Sequence, residues 1–145
     1  MATSQQEKII TGLRGEFSVA VKLCEMNYYP SLTLKNYPGI DIFVLNPVNK
    51  KQVAIQVKSL RKEKGKLFYV PEKVDEMDIV FVFVYIHSDH LDYFIVSSKD
   101  VAQLSYKVRE DYIKNNPQVN KKQPRMIGIS EIECFKDKWE LLGLN

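Results

Sequence analysis

Four polar residues stand where the sequence otherwise carries buried-type apolar residues. Asp41 interrupts the apolar run "IDIFVL", and Gln56 and Lys58 alternate with aliphatic residues in "QVAIQVKSL". Glu16 lies along the apolar stripe of a predicted first helix. Two carboxylates and an amide oxygen can bind a hard divalent cation such as Mg²⁺. A lysine beside that cation can stabilise a phosphate or polarise a water, so these residues indicate metal-assisted phosphate chemistry.

The spacing of these residues along two predicted strands could bring them together. Side chains alternate along a strand, so Gln56 and Lys58 share one face, about 7 Å apart. The short turn "NPVNKK" joins the two strands as an antiparallel hairpin. In the simplest register Asp41 lies near both residues, while Glu16 faces the sheet from the helix. The four groups would then share one pocket.

Each of these residues also has a purely structural interpretation. Glu16 and Lys58 could form a buried ion pair, because a buried carboxylate requires a cation or donors. Asp41 could cap the "YPG" turn, and Lys58 could lean from the strand end toward a basic loop. The four residues taken together, with the strand spacing they show, favour the site over these alternatives.

The elements that must position the site are predicted from hydrophobic periodicity. A helix is predicted over residues 5–28, where Gly12 and Gly15 lower the helix propensity and close backbone approach is one candidate reason for them. Its inward stripe is predicted to contain Ile9, Leu13, Phe17, Ala20 and Cys24, widened by Ile10, Val21 and Leu23. The segments "SLTL", "IDIFVL" and "QVAIQVKSL" predict an antiparallel meander. The strand "DIVFVFVYI" is apolar enough for burial on both faces, and a partner strand and further helices follow it.

Length and composition limit the class of protein. The chain has 145 residues, of which 45% are hydrophobic and 27% charged, so we predict a single α/β domain over 1–145. Its fold would be a central mixed β-sheet flanked by helices. Two cysteines exclude a disulfide framework, and no signal peptide or membrane span is evident, which predicts a cytoplasmic protein with no membrane partner. The net charge of +3 does not by itself identify a nucleic-acid binder.

Three short motifs resemble those of a known enzyme superfamily. The pair "GE" in the first helix, then "PGIDIFV" and "VAIQVKS", is similar to the PD-(D/E)XK nucleases. Pro38 is separated from Asp41 by two residues, and Gln56 stands where Glu or Asp is commoner. The resemblance implies a restriction-endonuclease-like core of α-β-β-β-α-β type. It also implies a metal-dependent endonuclease that hydrolyses DNA phosphodiesters with Mg²⁺, for which Mn²⁺ can substitute.

The resemblance implies a role for each site residue. Asp41 would ligate the metal, joined by the Gln56 amide oxygen and the backbone carbonyl of Val57. Glu16 would bind the metal directly or through water. Lys58 would orient or help deprotonate the attacking water and steady the phosphate. Gln56 in place of an acid removes one negative charge, which should weaken metal affinity. Many similar nucleases cut two strands as dimers, so a homodimer is compatible with the resemblance.

Two basic clusters are candidates for DNA contacts. The first follows Lys58 directly, and the second lies in the polar segment "NNPQVNKKQPR", which is predicted to be an exposed loop. The candidate DNA-binding residues are Arg61, Lys62, Lys64, Lys66, Lys121, Lys122 and Arg125. Both clusters could instead be solvated loops, since Glu63 dilutes the first one. Tyr37 and Tyr69 could stack on bases or simply pack.

Two further hypotheses remain beside the nuclease. The same fold could serve without catalysis as a DNA-binding or protein-interaction module, in which the polar pocket would be a closed ion pair. An unrelated sheet domain that binds a partner protein is the other, and it predicts no affinity for DNA. In the turn "HSDH", His87 and His90 could share a cation, but Asp89 also suits a plain turn and no other ligand is evident.

Overall fold

The computed structural model describes residues 3–34, 37–119 and 123–145. Within these ranges a mixed sheet is flanked by helices, which confirms the predicted α/β class. In chain order the helices and strands are α1 (Ser4–Glu25), β1 (Tyr29–Leu32), β2 (Ile42–Leu45), β3 (Gln52–Arg61), β4 (Leu67–Tyr69), β5 (Val80–Ile86), β6 (Leu91–Ser97), α2 (Ser98–Asn115), β7 (Met126–Gly128) and α3 (Ile129–Ile132). Short 3₁₀ turns lie at Lys62–Lys64, Val74–Glu76, Glu133–Phe135 and Trp139–Leu142.

The main sheet has five strands in the order β1-β2-β3-β5-β6. β1, β2 and β3 form the predicted antiparallel meander, with Ile42 opposite Ile55 in the β2–β3 pair. β3 and β5 run parallel, and β5 and β6 are antiparallel. The strands β4 and β7 pair in a separate two-stranded sheet. β3 is therefore the central strand, and the predicted site residues lie on it and beside it.

Two apolar cores cover the two faces of the sheet. Val82, Val84 and Ile86 of β5 pack in the core on the α1 side. Phe81 and Phe83 pack in the second core, which includes Val101 of α2. The prediction that this strand is buried on both faces is confirmed. Of the helices in the described ranges, none is both long enough and apolar enough to span a membrane.

Helix α1 packs on the sheet with a face other than the predicted one. It begins at a capping box in which Thr3 and Gln6 bond reciprocally. Its buried residues are Gly15, Val19 and Leu23, whereas Leu13 and Phe17 of the predicted stripe are exposed. The prediction of the inward face was wrong because the largest apolar side chains of α1 lie on its exposed side. The side that packs on the sheet contains Gly15, which brings the helix backbone close to β3. A Cβ on Gly15 would lie 1.7 Å from Ser59 Oγ.

The end of the described chain closes over the hairpin that β2 and β3 form. Leu142 and Leu144 are buried in the core on the α1 side. Asn46 and Asn49 of the β2–β3 turn donate side-chain hydrogen bonds to the Leu144 carbonyl, at 2.7 and 3.0 Å. These contacts fix the turn from which both site-bearing strands extend.

Candidate active site

The candidate site lies at a fork between β2 and β3. β2 pairs with β3 only up to Ile55, whereas β3 continues to Arg61. Along the rest of β3, the strand paired with it in the described structure is β5, on the opposite edge. Asp41 precedes β2 directly, so it stands at the mouth of the fork. The edge of β3 beyond Ile55 is therefore where a ligand could meet side chains and backbone together.

A local irregularity at Asp41 directs its carboxylate at this edge. Ile42 is the register partner of Ile55, yet the Asp41 N–H also donates to the Ile55 carbonyl at 2.8 Å. Two consecutive residues thus face Ile55, which is the arrangement of a β-bulge and re-aims the side chain. Asp41 Oδ2 accepts a hydrogen bond from the Val57 N–H at 2.7 Å. The carboxylate does not cap the "YPG" turn but binds the edge of β3.

The backbone of Val57 faces the same fork. In a strand the N–H and C=O of one residue point to the same side. Since the Val57 N–H meets the Asp41 carboxylate, the Val57 carbonyl also points toward the fork. The sequence-based assignment of this carbonyl as a metal ligand is consistent with that direction and stays a prediction.

Gln56 and Lys58 share the face of β3 opposite Ile55 and Val57. Ile55 and Val57 belong to the core on the α1 side, so strand alternation turns Gln56 and Lys58 the other way. Gln56 Oε1 is buried and has no hydrogen-bond partner. A buried carbonyl oxygen without a donor is costly, by about 1–3 kcal/mol. A bound cation would remove that deficit, and Gln56 is the strongest single indication of one.

Burial perturbs the two charged groups of the site. Burial raises the pKa of the Asp41 carboxyl, although the Val57 hydrogen bond and the positive charge of Lys58 act against that rise. Burial also lowers the pKa of the Lys58 amine, opposed by the charge of Asp41. For each group, burial disfavours the charged form more than the opposite charge of the other group favours it. A divalent cation beside Asp41 would favour the ionised form of its carboxylate.

Glu16 lies on α1, the helix whose Gly15 packs against β3. It is half-buried and follows Gly15, the residue whose backbone presses on Ser59 and Val57. α1 covers the face of the sheet opposite Gln56 and Lys58, so Glu16 enters from the other side of β3. The structure thus brings Asp41, Val57 and Lys58 to one stretch of β3 and sets Glu16 on the neighbouring helix. A shared ligand would have to lie at the open edge, which both faces border.

Two clefts flank the end of β3 and carry basic residues. One, of about 400 Å³, is lined by Lys58, Lys64 and Lys66 together with Tyr69. The other, of about 620 Å³, lies between α1 and β3 and is lined by Lys8, Arg61 and Lys64 among others. Sequence inspection missed Lys8, because it is distant in the chain from the basic loop. A phosphate backbone could follow this surface.

Existing ion pairs reduce the charge of this surface. Arg61 binds Glu63, and Lys64 Nζ lies 3.7 Å from Glu7. Lys62 and Lys66 are exposed beside them.

The Tyr85 hydroxyl donates to the Gly65 carbonyl at 2.9 Å and so fixes the basic loop to β5. Tyr69 is exposed and lines both clefts, whereas Tyr37 packs edge-to-face on Phe43.

The second predicted basic cluster is not supported as a DNA contact at Arg125. The prediction that Arg125 lies in an exposed loop is wrong, because only 2% of the residue is exposed. Its guanidinium binds Asp75, the Ala102 carbonyl and Ser105 Oγ, so it joins α2 to the Val74–Glu76 turn. Lys121 and Lys122 lie outside the described residues.

A separate cluster of potential ligands occupies the β5–β6 turn. His87 Nε2 lies 2.7 Å from Asp92 Oδ2, and His90 Nε2 lies 3.5 Å from Asp92 Oδ1. The three could hold a metal ion, and sequence inspection missed Asp92, two residues after His90 on the next strand. The imidazole rings stack at 4.0 Å, and Lys136 also pairs with Asp92. Imidazole suits Zn²⁺ or Cu²⁺ rather than Mg²⁺, so this cluster does not bear on the magnesium prediction.

Comparison with known proteins adds no family assignment. No protein-family model matches the sequence, and no curated protein matches it.

Proposed function

We propose that the protein is a metal-dependent nuclease that hydrolyses DNA phosphodiester bonds at the β2–β3 fork. The observation that carries the proposal is the buried, unpartnered Gln56 Oε1 on the strand whose edge Asp41 binds, with Lys58 following on the same face. A purely structural hairpin would not need an amide, a carboxylate and an amine at this position. Perturbed pKa values of a paired acid and amine are typical of functional sites.

The proposed fold is a restriction-endonuclease-like core. The supporting observations are the order of a first helix, an antiparallel three-stranded meander and a fifth strand parallel to the third. Asp41 directly before β2 and the Q-x-K triplet on β3 also support this proposal. The fold alone does not imply cleavage, so the proposed chemistry depends on these residues.

The proposed metal is Mg²⁺, with Mn²⁺ as a substitute. Asp41, the Gln56 amide oxygen and the Val57 carbonyl would hold it, with Glu16 contributing from α1. All are oxygen donors, which are the ligands that Mg²⁺ prefers. When bound, the ion would neutralise charge on the scissile phosphate and lower the pKa of water. Gln56 supplies no charge, so affinity should be lower than for a site with three carboxylates.

Lys58 would act on the water and the phosphate. Burial lowers its pKa, so the neutral amine, which can accept a proton, is more populated than at an exposed lysine. The attacking water would lose a proton as its oxygen bonds to phosphorus, and the ester bond to the leaving oxygen would break. Lys64 and Lys66, beside Lys58 in the 400 Å³ cleft, would hold flanking phosphates.

The rival proposal is a non-catalytic module that uses the basic surface to bind DNA or a protein. It is favoured by Gln56 itself, because an amide in place of an acid weakens a metal site. The two proposals make opposite predictions for Gln56→Glu. In a nuclease this change restores a charged ligand and lowers the Mg²⁺ concentration for half-maximal cleavage. In a binding module it buries one more carboxylate and lowers the free energy of unfolding without creating activity.

The deciding experiment is a cleavage assay on linear, supercoiled and branched DNA, with Mg²⁺, Mn²⁺ or EDTA. We expect metal-dependent cleavage that Asp41→Ala and Lys58→Ala reduce by at least about 100-fold. Lys107→Ala, which removes an exposed lysine of α2, is the control and should retain activity. DNA binding without cleavage would support a DNA-binding module. The absence of both binding and cleavage would overturn the nuclease and the DNA-binding module, and would leave a module that binds a protein.

A further inference from the structure

Helix α1 is apolar on two opposite sides. Gly15, Val19 and Leu23 face the sheet and are buried. A second stripe of five large apolar residues is 37–57% exposed, namely Ile9, Ile10, Leu13, Phe17 and Val21. We call these five residues the outer stripe.

The outer stripe points directly away from the sheet. Residues two apart on an α-helix are about 200° apart around its axis, so Phe17 lies opposite both Gly15 and Val19. A surface helix of a single body carries one apolar face, whereas a helix that is apolar on opposite sides is typical of burial between two bodies. The sheet covers only one of the two sides of α1. The sequence of this helix therefore indicates a second covering body.

We propose that the second body is another copy of the chain, whose α1 lies antiparallel across this one with Phe17 on the two-fold axis. Two pairs of apolar positions are symmetric about Phe17: Leu13 and Val21 lie four residues away, and Ile10 and the exposed Cys24 lie seven residues away, whereas Ile9 has Glu25 as its mirror position. In an antiparallel pair, Leu13 of one copy meets Val21 of the other, and Ile10 meets Cys24. A two-fold interface requires such self-complementarity, because the same patch forms both sides.

The area of the outer stripe suits a weak, reversible pair. Five large side chains, each about half exposed, present on the order of 450 Å² of apolar surface. Two copies would bury about 900 Å² from these residues alone, and the flanking side chains bring the total to about the 1,000–1,200 Å² of a small specific interface. The intervals of three and four residues also match the knobs-into-holes seam of paired helices.

The charges beside the outer stripe disfavour other occupants. Glu7 pairs with Lys64 and Glu25 pairs with Lys22, so the charges that flank the outer stripe largely cancel. A border with no excess of positive charge does not attract DNA or an anionic membrane surface, which amphipathic helices reach with basic flanks. An uncharged, self-matching protein surface fits best. The basic clefts beside β3 lie on a different side of α1 from the outer stripe, so they would remain accessible to DNA.

The test is sedimentation analysis of the full chain across a concentration series, with no DNA or metal. We expect a reversible dimer of twice the 16.9 kDa chain mass. Phe17→Glu places two like charges on the two-fold axis, so we expect the dimer dissociation constant to rise at least about 100-fold. Tyr106→Glu is the matched control, because Tyr106 of α2 is also 55% exposed and should leave the dimer unchanged. A wild-type monomer at all concentrations would overturn the proposal.

Cysteine cross-linking tests the orientation. In the antiparallel pair the two copies of Cys24 lie about 20 Å apart, because each is seven residues from the axis at 1.5 Å per residue. Oxidation of Cys134→Ser should therefore give no covalent dimer, whereas Ile10→Cys in that background should cross-link to Cys24 of the other copy. A Cys24–Cys24 disulfide would instead indicate parallel helices and refute this geometry. These outcomes do not depend on nuclease activity.

Discussion

Gly12 and Gly15 of α1 allow a direct test of how closely the helix sits on β3. The two glycines are in the same helix, three residues apart, and in isolation alanine would favour the helix by about 1 kcal/mol at each position. Their surroundings differ. A Cβ on Gly12 meets no atom within 4 Å, whereas a Cβ on Gly15 would lie 1.7 Å from Ser59 Oγ and 3.0 Å from Ser59 Cβ.

The expected magnitude follows from these distances. Normal van der Waals contact begins near 3.5 Å, so at Gly15 the Ser59 hydroxyl would have to rotate or α1 would have to move outward. Overpacking of this kind costs typically 1–3 kcal/mol. Gly12→Ala should therefore raise the free energy of unfolding by about 0.5–1 kcal/mol. Gly15→Ala should be less stable than Gly12→Ala by about 1–3 kcal/mol, because the propensity gain cancels in that comparison.

Urea denaturation followed by circular dichroism measures both variants, with Ser59→Ala as a third. Ser59 Oγ is buried without a hydrogen-bond partner, so its removal should be neutral or stabilising. The double variant with Gly15→Ala should recover most of the loss, but not all of it, because Ser59 Cβ remains. Gly15→Ala at least as stable as Gly12→Ala would refute the close approach of α1 to β3.

Three further predictions concern charge. Lys58→Met should change how the free energy of unfolding depends on pH. Burial lowers the pKa of Lys58, so the folded state loses the lysine proton at a lower pH than the unfolded state does. The free energy of unfolding of the wild type should therefore rise relative to that of Lys58→Met as the pH increases from the lowered pKa toward 10.5. Urea titrations from pH 7 to 10.5 check this, and a constant difference would contradict it. Arg125→Ala should lower the free energy of unfolding by about 2–4 kcal/mol, because it empties a buried volume and removes the hydrogen bonds to Asp75, the Ala102 carbonyl and Ser105. A loss below about 1 kcal/mol in the same assay would argue against a structural role. Lys66→Ala should weaken DNA binding at all sequences and reduce the slope of log affinity against log salt by about one, measured by fluorescence anisotropy. An unchanged slope would place Lys66 outside the interface.

Much of the fold could be predicted because local pattern and tertiary structure agree there. The meander followed from alternation and short turns, and the double burial of β5 followed from its unbroken apolar run. The face of α1 could not be predicted in the same way. Large apolar residues on one side outweighed Gly15 and Val19 in the pattern, although the small residues make the contact. Periodicity finds apolar faces but does not tell which of two faces the protein's own sheet covers.

The sequence identified the residues of the candidate site but did not predict their local geometry. The identities of Asp41, Gln56 and Lys58 could be read from polar interruptions in two strands. The bulge at Asp41 could not, since it depends on one backbone bond to Ile55. Arg125 was assigned to solvent because its neighbours are polar, yet Asp75 and α2, both distant in sequence, enclose it. Burial created by such long-range contacts leaves no local signal.

The contact of Leu144 with the β2–β3 turn has a consequence for the order of folding during synthesis. Asn46 and Asn49 hydrogen-bond a carbonyl that lies 98 and 95 positions later, and β5, the parallel neighbour of β3, is also made after the hairpin. A nascent chain can thus form the hairpin but cannot fix it until residue 144 has left the ribosome. Since non-local contacts form slowly, the fork should be among the last parts of the protein to fold. In ribosome-bound intermediates, Asp41 and Lys58 should not yet lie next to each other.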